Sequence, residues 1–215
     1  MKLLILALMI LSFTACKKNS STESTIDAPS SDTAINQTEN TINAGQTVEN
    51  VMKSMMDKMH QMKKTGNADY DLAAAMKEHH IGAVDMSAVE LNSGTDTKLK
   101  DMAQKMSDKQ KKEITELEAI MSESKSGDKN YNQDDQGLGK AMMDNMMSMM
   151  KMPETTGSTD NDFATMMIKH HKDGIMMGQT ILKYAENTKF RLMTEKMIAD
   201  QKKDINDLES WLASH

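Results

Sequence analysis

The sequence predicts an all-α protein: a four-helix bundle built from two duplicated helical hairpins, with two additional short methionine-rich helices. Three observations carry this. Of 215 residues, 25 are methionine, two are proline and 3% are aromatic, so the apolar material is mostly Met, Ala and Leu, which lose little side-chain freedom in a helix. The second half of the chain repeats the first. Within each copy, apolar residues recur at spacings of three and four, the mark of one buried helical face.

The repeat is gapless. An offset of 91 residues, that of His79 from His170, also pairs Met52 with Met143, Met55 with Met146, and Met59 with Met150. It continues through Met76 and Met167, Met86 and Met177, Met102 and Met193, Met106 and Met197, to Gln110 and Gln201. Residues 48–124 form the first copy, 125–139 a polar linker and 140–215 the second copy. Each copy reads as three helices. The first spans Val48 to Lys64, or Gly139 to Met152. The second begins at the N-capping types Asp69 or Asp160 and runs past the histidine pair to Gly94, or to Asn187. The third starts at Thr95-Asp96, or Asn187-Thr188, and continues to about Ser124, or Ala213. A connection of a few residues forces the second and third helices antiparallel, with His79 level with Gln110 and Met86 level with Ala103. Two such hairpins bury their stripes against each other, and the short Met-rich helices lie across the ends or flank of the bundle.

Ahead of the repeats, Lys2 precedes an apolar run from Leu3 to Phe13 that closes in Thr14-Ala15-Cys16. The run is too short to span a bilayer comfortably. Residues 1–15 are expected to be a lipoprotein signal peptide, with Cys16 acylated to anchor the chain to a membrane; an ordinary secretory signal with an incidental cysteine is the alternative. Either places the protein in the cell envelope, on the periplasmic or surface side. Residues 16–47, rich in Ser, Thr, Asn and Asp, read as a disordered tether. The formal charge of −6 and pI near 5.5 supply no basic surface for nucleic acid, whereas metal cations remain suitable partners.

The chemistry concentrates in the repeated segment. On a helix, Met76, His79, Ala83 and Met86 fall at i, i+3, i+7 and i+10, a line down one face, with His80 turned aside by about 100°. The neighbouring helix brings Met102 and Met106. The second copy offers Met167, His170, His171, Met177, Met193 and Met197. Thioether and imidazole together suit a soft monovalent ion, Cu(I) or Ag(I), better than a hard cation. A thioether carries no proton to displace, and it avoids the disulfide that a cysteine site risks outside the cytoplasm. Met52, Met55, Met59, Met143, Met146 and Met150 on the short helices are secondary metal candidates. The stretch MMDNMMSMMKM from Met142 to Met152 holds more sulfur than one packing face requires, so some of it should point away from any core.

Blander readings stand beside these. Methionine stripes serve as adaptable core filler, and Gln110 and Gln201 as polar residues that specify bundle pairing. His60 and His215 lie outside the shared pattern and should be solvated. The runs Lys111 to Glu113 and Lys202 to Asp204 read as solvated helix faces.

Met-x-x-His-His-x-x-Ala-x-x-Met at Met76 to Met86, followed by Met-x-x-x-Met-x-x-x-Gln at Met102 to Gln110, resembles the CopM-like periplasmic helical bundles, long grouped among domains of unknown function. The resemblance covers both copies, from Val48 onward. It implies a ferritin-like four-helix bundle that binds copper and silver ions in copper resistance, with the motif falling on Met76, His79, His80 and Met86 and on Met167, His170, His171 and Met177. Gly174 departs from the motif's Ala, and Ser87 and Gly178 stand where a further Ala is usual. These changes are expected to loosen helix packing.

The expected function is extracytoplasmic copper(I) or silver binding without catalysis, for sequestration, tolerance or transfer to a copper exporter or cuproprotein. The alternative is a metal-free, Met-rich helical interaction module. A di-iron oxidase would need Glu-x-x-His on two helices, and no Glu lies three residues before any histidine. Nucleotide-binding glycine loops, HExxH and GxSxG are absent from the sequence, so the chain is not expected to be an enzyme.

Overall fold

The computed structural model describes residues 45–125, 127–134 and 136–215. The signal segment, Cys16 and the tether up to residue 44 lie outside the described residues. Six helices and no strand are found among them: α1 (Val48–Gln61), α2 (Ala68–Ser93), α3 (Thr97–Ser124), α4 (Gly137–Met149), α5 (Thr159–Tyr184) and α6 (Thr188–Leu212).

Side-chain oxygens start five of them. Thr47, Asn67, Asp96, Ser158 and Asn187 each accept a bond from the backbone N–H three residues on, at 2.7 to 3.4 Å. The caps of α2 and α5 are thus Asn67 and Ser158, two residues before the expected Asp69 and Asp160. Those two carboxylates cross to the other copy. Asp160 accepts from Thr95 N at 2.8 Å, Thr95 Oγ1 at 2.6 Å and Asp96 N at 3.0 Å, in the turn between α2 and α3. Asp69 accepts from Glu186 N at 3.0 Å and Asn187 N at 3.1 Å, in the equivalent turn between α5 and α6. Each copy's second helix therefore begins against the other copy's hairpin turn, which sets α2 and α5 antiparallel.

The short helices are shorter than expected. The α1 helix stops at Gln61 because Met62 is extended and the Asp71 carboxylate gathers Thr65 N and Gly66 N, each at 2.9 to 3.0 Å. The linker is also tied down. Asn130 Oδ1 accepts from Ala68 N at 2.8 Å, Gln133 Nε2 donates to Lys64 O at 3.1 Å, and Tyr131 Oη donates to Asp71 at 2.7 Å. After it, α4 begins at Gly137 and ends at Met149, before Pro153.

The bundle proper packs α2 on α3 and α5 on α6 within the copies, and α2 on α5 and α3 on α6 between them. Helix α1 flanks α2 and α5; helix α4 flanks α5. Buried apolar residues from all six helices form one core. The glycine departures do not loosen it. A Cβ added at Gly174 would sit 2.5 Å from Gln201 Oε1, and one at Gly178 would sit 2.9 Å from Ile198 Cγ1, so the missing methyl groups admit a close approach of α6. No helix among the described residues is long and apolar enough to cross a membrane.

Candidate metal centre

Antiparallel packing about the helix midpoints brings the two histidine pairs together. His79, His80, His170 and His171 are each 0% exposed. The rings of His79 and His170 stack with centroids 3.7 Å apart and planes inclined by 26°. His80 and His171 flank them at 6.3 Å from His79 and 5.8 Å from His170. The separate pocket expected in each copy is replaced by one four-imidazole cluster shared by both, because the pseudo-symmetric partners meet where α2 crosses α5.

Their hydrogen bonding is incomplete. His170 Nε2 lies 2.8 Å from the carbonyl oxygen of His79 and must donate to it, which leaves His170 Nδ1 as a lone pair with no partner among the described residues. His80 Nε2 lies 3.0 Å from Glu113 Oε2, and His171 Nε2 lies 3.6 Å from Asp204 Oδ2. The Nδ1 atoms of both, and both nitrogens of His79, are buried without a partner among the described residues. The carboxamide oxygens of Gln110, expected level with His79, and of Gln201 are likewise unpartnered among the described residues.

Burial, and next the neighbouring His170, hold His79 well below the usual imidazole pKa. Burial, then His171, do the same for His170. Burial also lowers His171, against the opposing pull of Asp204. These rings are neutral at physiological pH, the protonation state in which imidazole serves as a ligand.

Glu113 and Asp204 were not foreseen. The lysines beside them are exposed, as expected of solvated faces, but the acids turn inward: Glu113 is buried, and Asp204 also receives Lys109 Nζ at 2.9 Å. Their signal was the face they share with the glutamines, since Met106, Gln110, Glu113 and Leu117 step by four, three and four. A carboxylate on the far nitrogen of a ligating imidazole fixes its tautomer and orientation.

The structure buries Met76, Met86, Met106, Met167, Met177 and Met197, and half-buries Met102 and Met193 against the core. Met52, Met55 and Met59 are also buried, whereas Met143 and Met150 are exposed and Met146 is half-buried. Among the described residues no group of three or more His, Cys, Asp or Glu side chains is arranged to hold a metal ion. The lone pairs of stacked imidazoles lie in their ring planes and do not converge between them, so an ion held by either ring draws its other donors from the surrounding side chains. His60 is exposed. His215 is not simply solvated: it stacks on Trp211 at 4.4 Å with Nε2 3.5 Å from Asp96.

Two solved structures share this fold. CopM in the Cu(I)-bound form is 20% identical with a TM-score of 0.52, and a DUF305 fragment from Deinococcus radiodurans is 16% identical with a TM-score of 0.51; each match covers 68% of this chain and 96% of the other. At such identities the likeness is one of fold. No match is found among the curated proteins. The model of the family described as "Domain of unknown function (DUF305)" matches residues 17–121 and again residues 69–212, and on that extent the chain belongs to the DUF305 family.

Proposed function

We propose that the protein binds a soft monovalent metal ion, Cu(I) or Ag(I), in the cell envelope, and holds or transfers it without catalysing a reaction. The observation that carries this is the set of buried imidazole nitrogens left without partners at the centre of a methionine-rich bundle. A buried nitrogen without a partner costs roughly 1–3 kcal/mol, so a sequence that keeps several of them together gains by a ligand that uses their lone pairs. Met76, Met86, Met167 and Met177, on the histidine-bearing helices, are the thioethers that would complete the coordination. Copper or silver is the cargo. The Cu(I)-bound state of CopM, which shares the fold, supports the same choice of ion. Retention by a lipid at Cys16, and delivery to an exporter or cuproprotein, belong to this reading and rest on the Leu3 to Cys16 segment.

Competition titration with a chromogenic Cu(I) chelator tests it, comparing the wild type with a variant in which His79, His80, His170 and His171 are all Ala, and checking the variant's fold by circular dichroism. Loss of the tightest binding in a folded variant is expected. Unchanged affinity and stoichiometry would overturn the proposal. The metal-free interaction module draws support from the exposed Met143, Met147 and Met150, and it predicts no metal retained after expression in copper-supplemented medium.

A further inference from the structure

We infer that the cleft between α1 and α4 is a second soft-metal site, where a Cu(I) or Ag(I) ion first binds, and that Met177 links it to the histidine cluster. This rests on the proposed metal binding but concerns different residues.

The cleft arises where the duplication breaks. Met52, Met55 and Met59 face the core from α1, yet their counterparts Met143, Met146 and Met150 are 46% exposed, half-buried and 66% exposed. The inward residues of α4 are instead Leu138, Asn145 and Met149, a face displaced by about one residue, or 100° of helix rotation. Two differences between the copies produce the turn. In copy one, Met55 rests on Gly82, where an added Cβ would collide with its sulfur; the equivalent position in copy two is Asp173, paired with Lys169, which leaves no such seat for Met146. Asn145 then points inward and donates to Thr180 Oγ1 at 3.0 Å, a buried bond that the counterparts Ser54 and Val89 cannot form.

The rotation opens a cleft of about 390 Å³. Met59 and Met62 line it from α1 and the residues just beyond, and Met142, Met146 and Met149 from α4. Met143, Met147 and Met150 line its solvent side, and the buried Met177 closes it from α5. Nine of its lining residues are thioethers; Leu72, Ala75 and Ile181 are its only aliphatic ones. A cleft for an apolar ligand needs no sulfur. Lys63, Lys64, Asp71 and His60 also line it; with one carboxylate against two lysines it offers a hard cation little, whereas its neutral sulfurs suit a soft ion.

Met177 has a second neighbour. It stands seven residues from His170 on α5, two turns or about 10 Å along the helix and on the same face. Its counterpart Met86 is fully buried and does not line the cleft. The histidine cluster therefore has a thioether-lined approach from copy two. Each Cu–thioether bond is weak, and a neighbouring sulfur can replace it stepwise, so an ion can move inward without being released to water.

The test uses the full chain and three variants: M143L/M147L/M150L, which preserves side-chain bulk on an exposed surface, M177L, and the four-histidine variant above. Cu(I) is delivered from a chromogenic chelator, with Ag(I) in parallel. Stoichiometry is read at equilibrium, and filling of the histidine cluster is followed by the imidazole nitrogen shifts. The triple variant is expected to lose the more weakly held ion and to fill the histidines several-fold more slowly. M177L should keep the cleft ion while slowing the filling and weakening the histidine-held ion. A triple variant with wild-type stoichiometry and rate would overturn the inference and leave the proposed function standing. Retention of one weakly held ion by the folded four-histidine variant would support a cleft site independent of the histidines.

Discussion

The two copies keep one register for their length, yet they use it differently on the outside of the bundle and almost identically at its centre. At the centre, His79 meets His170, His80 and His171 each face an acid, and Asp69 and Asp160 exchange bonds across the copies. On the outside, the same methionine positions are sealed in copy one and open in copy two. Residue type and register did not decide which methionines are filler. Their neighbours did: Gly82 against Asp173, Ser54 against Asn145, and Val89 against Thr180. Symmetry is retained where both copies contribute to one structure and lost on the flank, where α1 packs on both α2 and α5 but α4 mainly on α5.

The cross-copy carboxylates give the largest expected effect. Asp160→Ala removes three short hydrogen bonds to a charged acceptor, and should cost about 2 to 4 kcal/mol in urea unfolding. Asp69→Ala removes bonds to two backbone N–H groups at a half-exposed site, and should cost about 1 to 2 kcal/mol. Equal losses would mean that the copies are clamped alike. Burial pushes Asp160 up, but its hydrogen bonds from Asp96 and Thr95 hold it below the usual carboxylate value, so this stability is present above pH 3.8 and is lost on acidification below it.

At the symmetric centre the sign reverses. Replacing His79 and His170 together by Leu removes buried nitrogens without partners and keeps an apolar contact across the axis. The metal-free protein should gain roughly 1–3 kcal/mol while losing metal. Because burial depresses both imidazoles, the wild type loses stability as pH falls through 6.5, and the double variant should lose less across the same range. A double variant less stable than the wild type at pH 7 and without metal would show that the stack itself holds the bundle.

Much of this was legible in the sequence. Met, Ala and Leu at spacings of three and four gave all six helices, with ends within about three residues, because helix periodicity is a local property. The offset of 91 gave the hairpins. Less legible was anything set by the packing of one helix on another. Asp69 and Asp160 looked like local caps because nothing in a linear pattern shows that a carboxylate reaches another copy's turn. Glu113 and Asp204 hid behind lysines that are indeed solvated. The gathering of four histidines depends on where α2 crosses α5, and the rotation of α4 on Asp173 in place of glycine beneath it and on the Asn145–Thr180 bond.

Glu90 of copy one corresponds to Ile181 of copy two. Both are 0% exposed at equivalent positions, one acidic and one aliphatic. Burial, and next the hydrogen-bonded Asp160 carboxylate, push Glu90 up to about 8. The folded state thus binds a proton that the unfolded chain releases near pH 4.5, so stability falls as pH rises from about 4.5 to about 8. Glu90→Gln keeps the shape and the donor but cannot ionise. Thermal unfolding at pH 5 and pH 8 should show a drop for the wild type and none from this group in the variant. The same drop in both proteins would assign it elsewhere.

The smallest effect tests a difference of one methyl group between the copies, Ala83 against Gly174. Copy one accommodates a methyl group at the crossing level with Gln110; copy two has none, and Gln201 fills the space. Gly174→Ala brings two opposing changes. Helix propensity favours alanine by about 1 kcal/mol. Against this, the new methyl group would lie 2.5 Å from Gln201 Oε1 and must displace it. That oxygen is the far end of a flexible side chain and has no hydrogen-bond partner among the described residues, so its displacement breaks no bond. The sum should lie between neutral and a gain of about 1 kcal/mol, read as an equal or higher unfolding midpoint. A clear loss would mean that Gln201 is held where it is, and that the carboxamide beside the histidines is a fixed part of the centre rather than a side chain resting in the space glycine leaves.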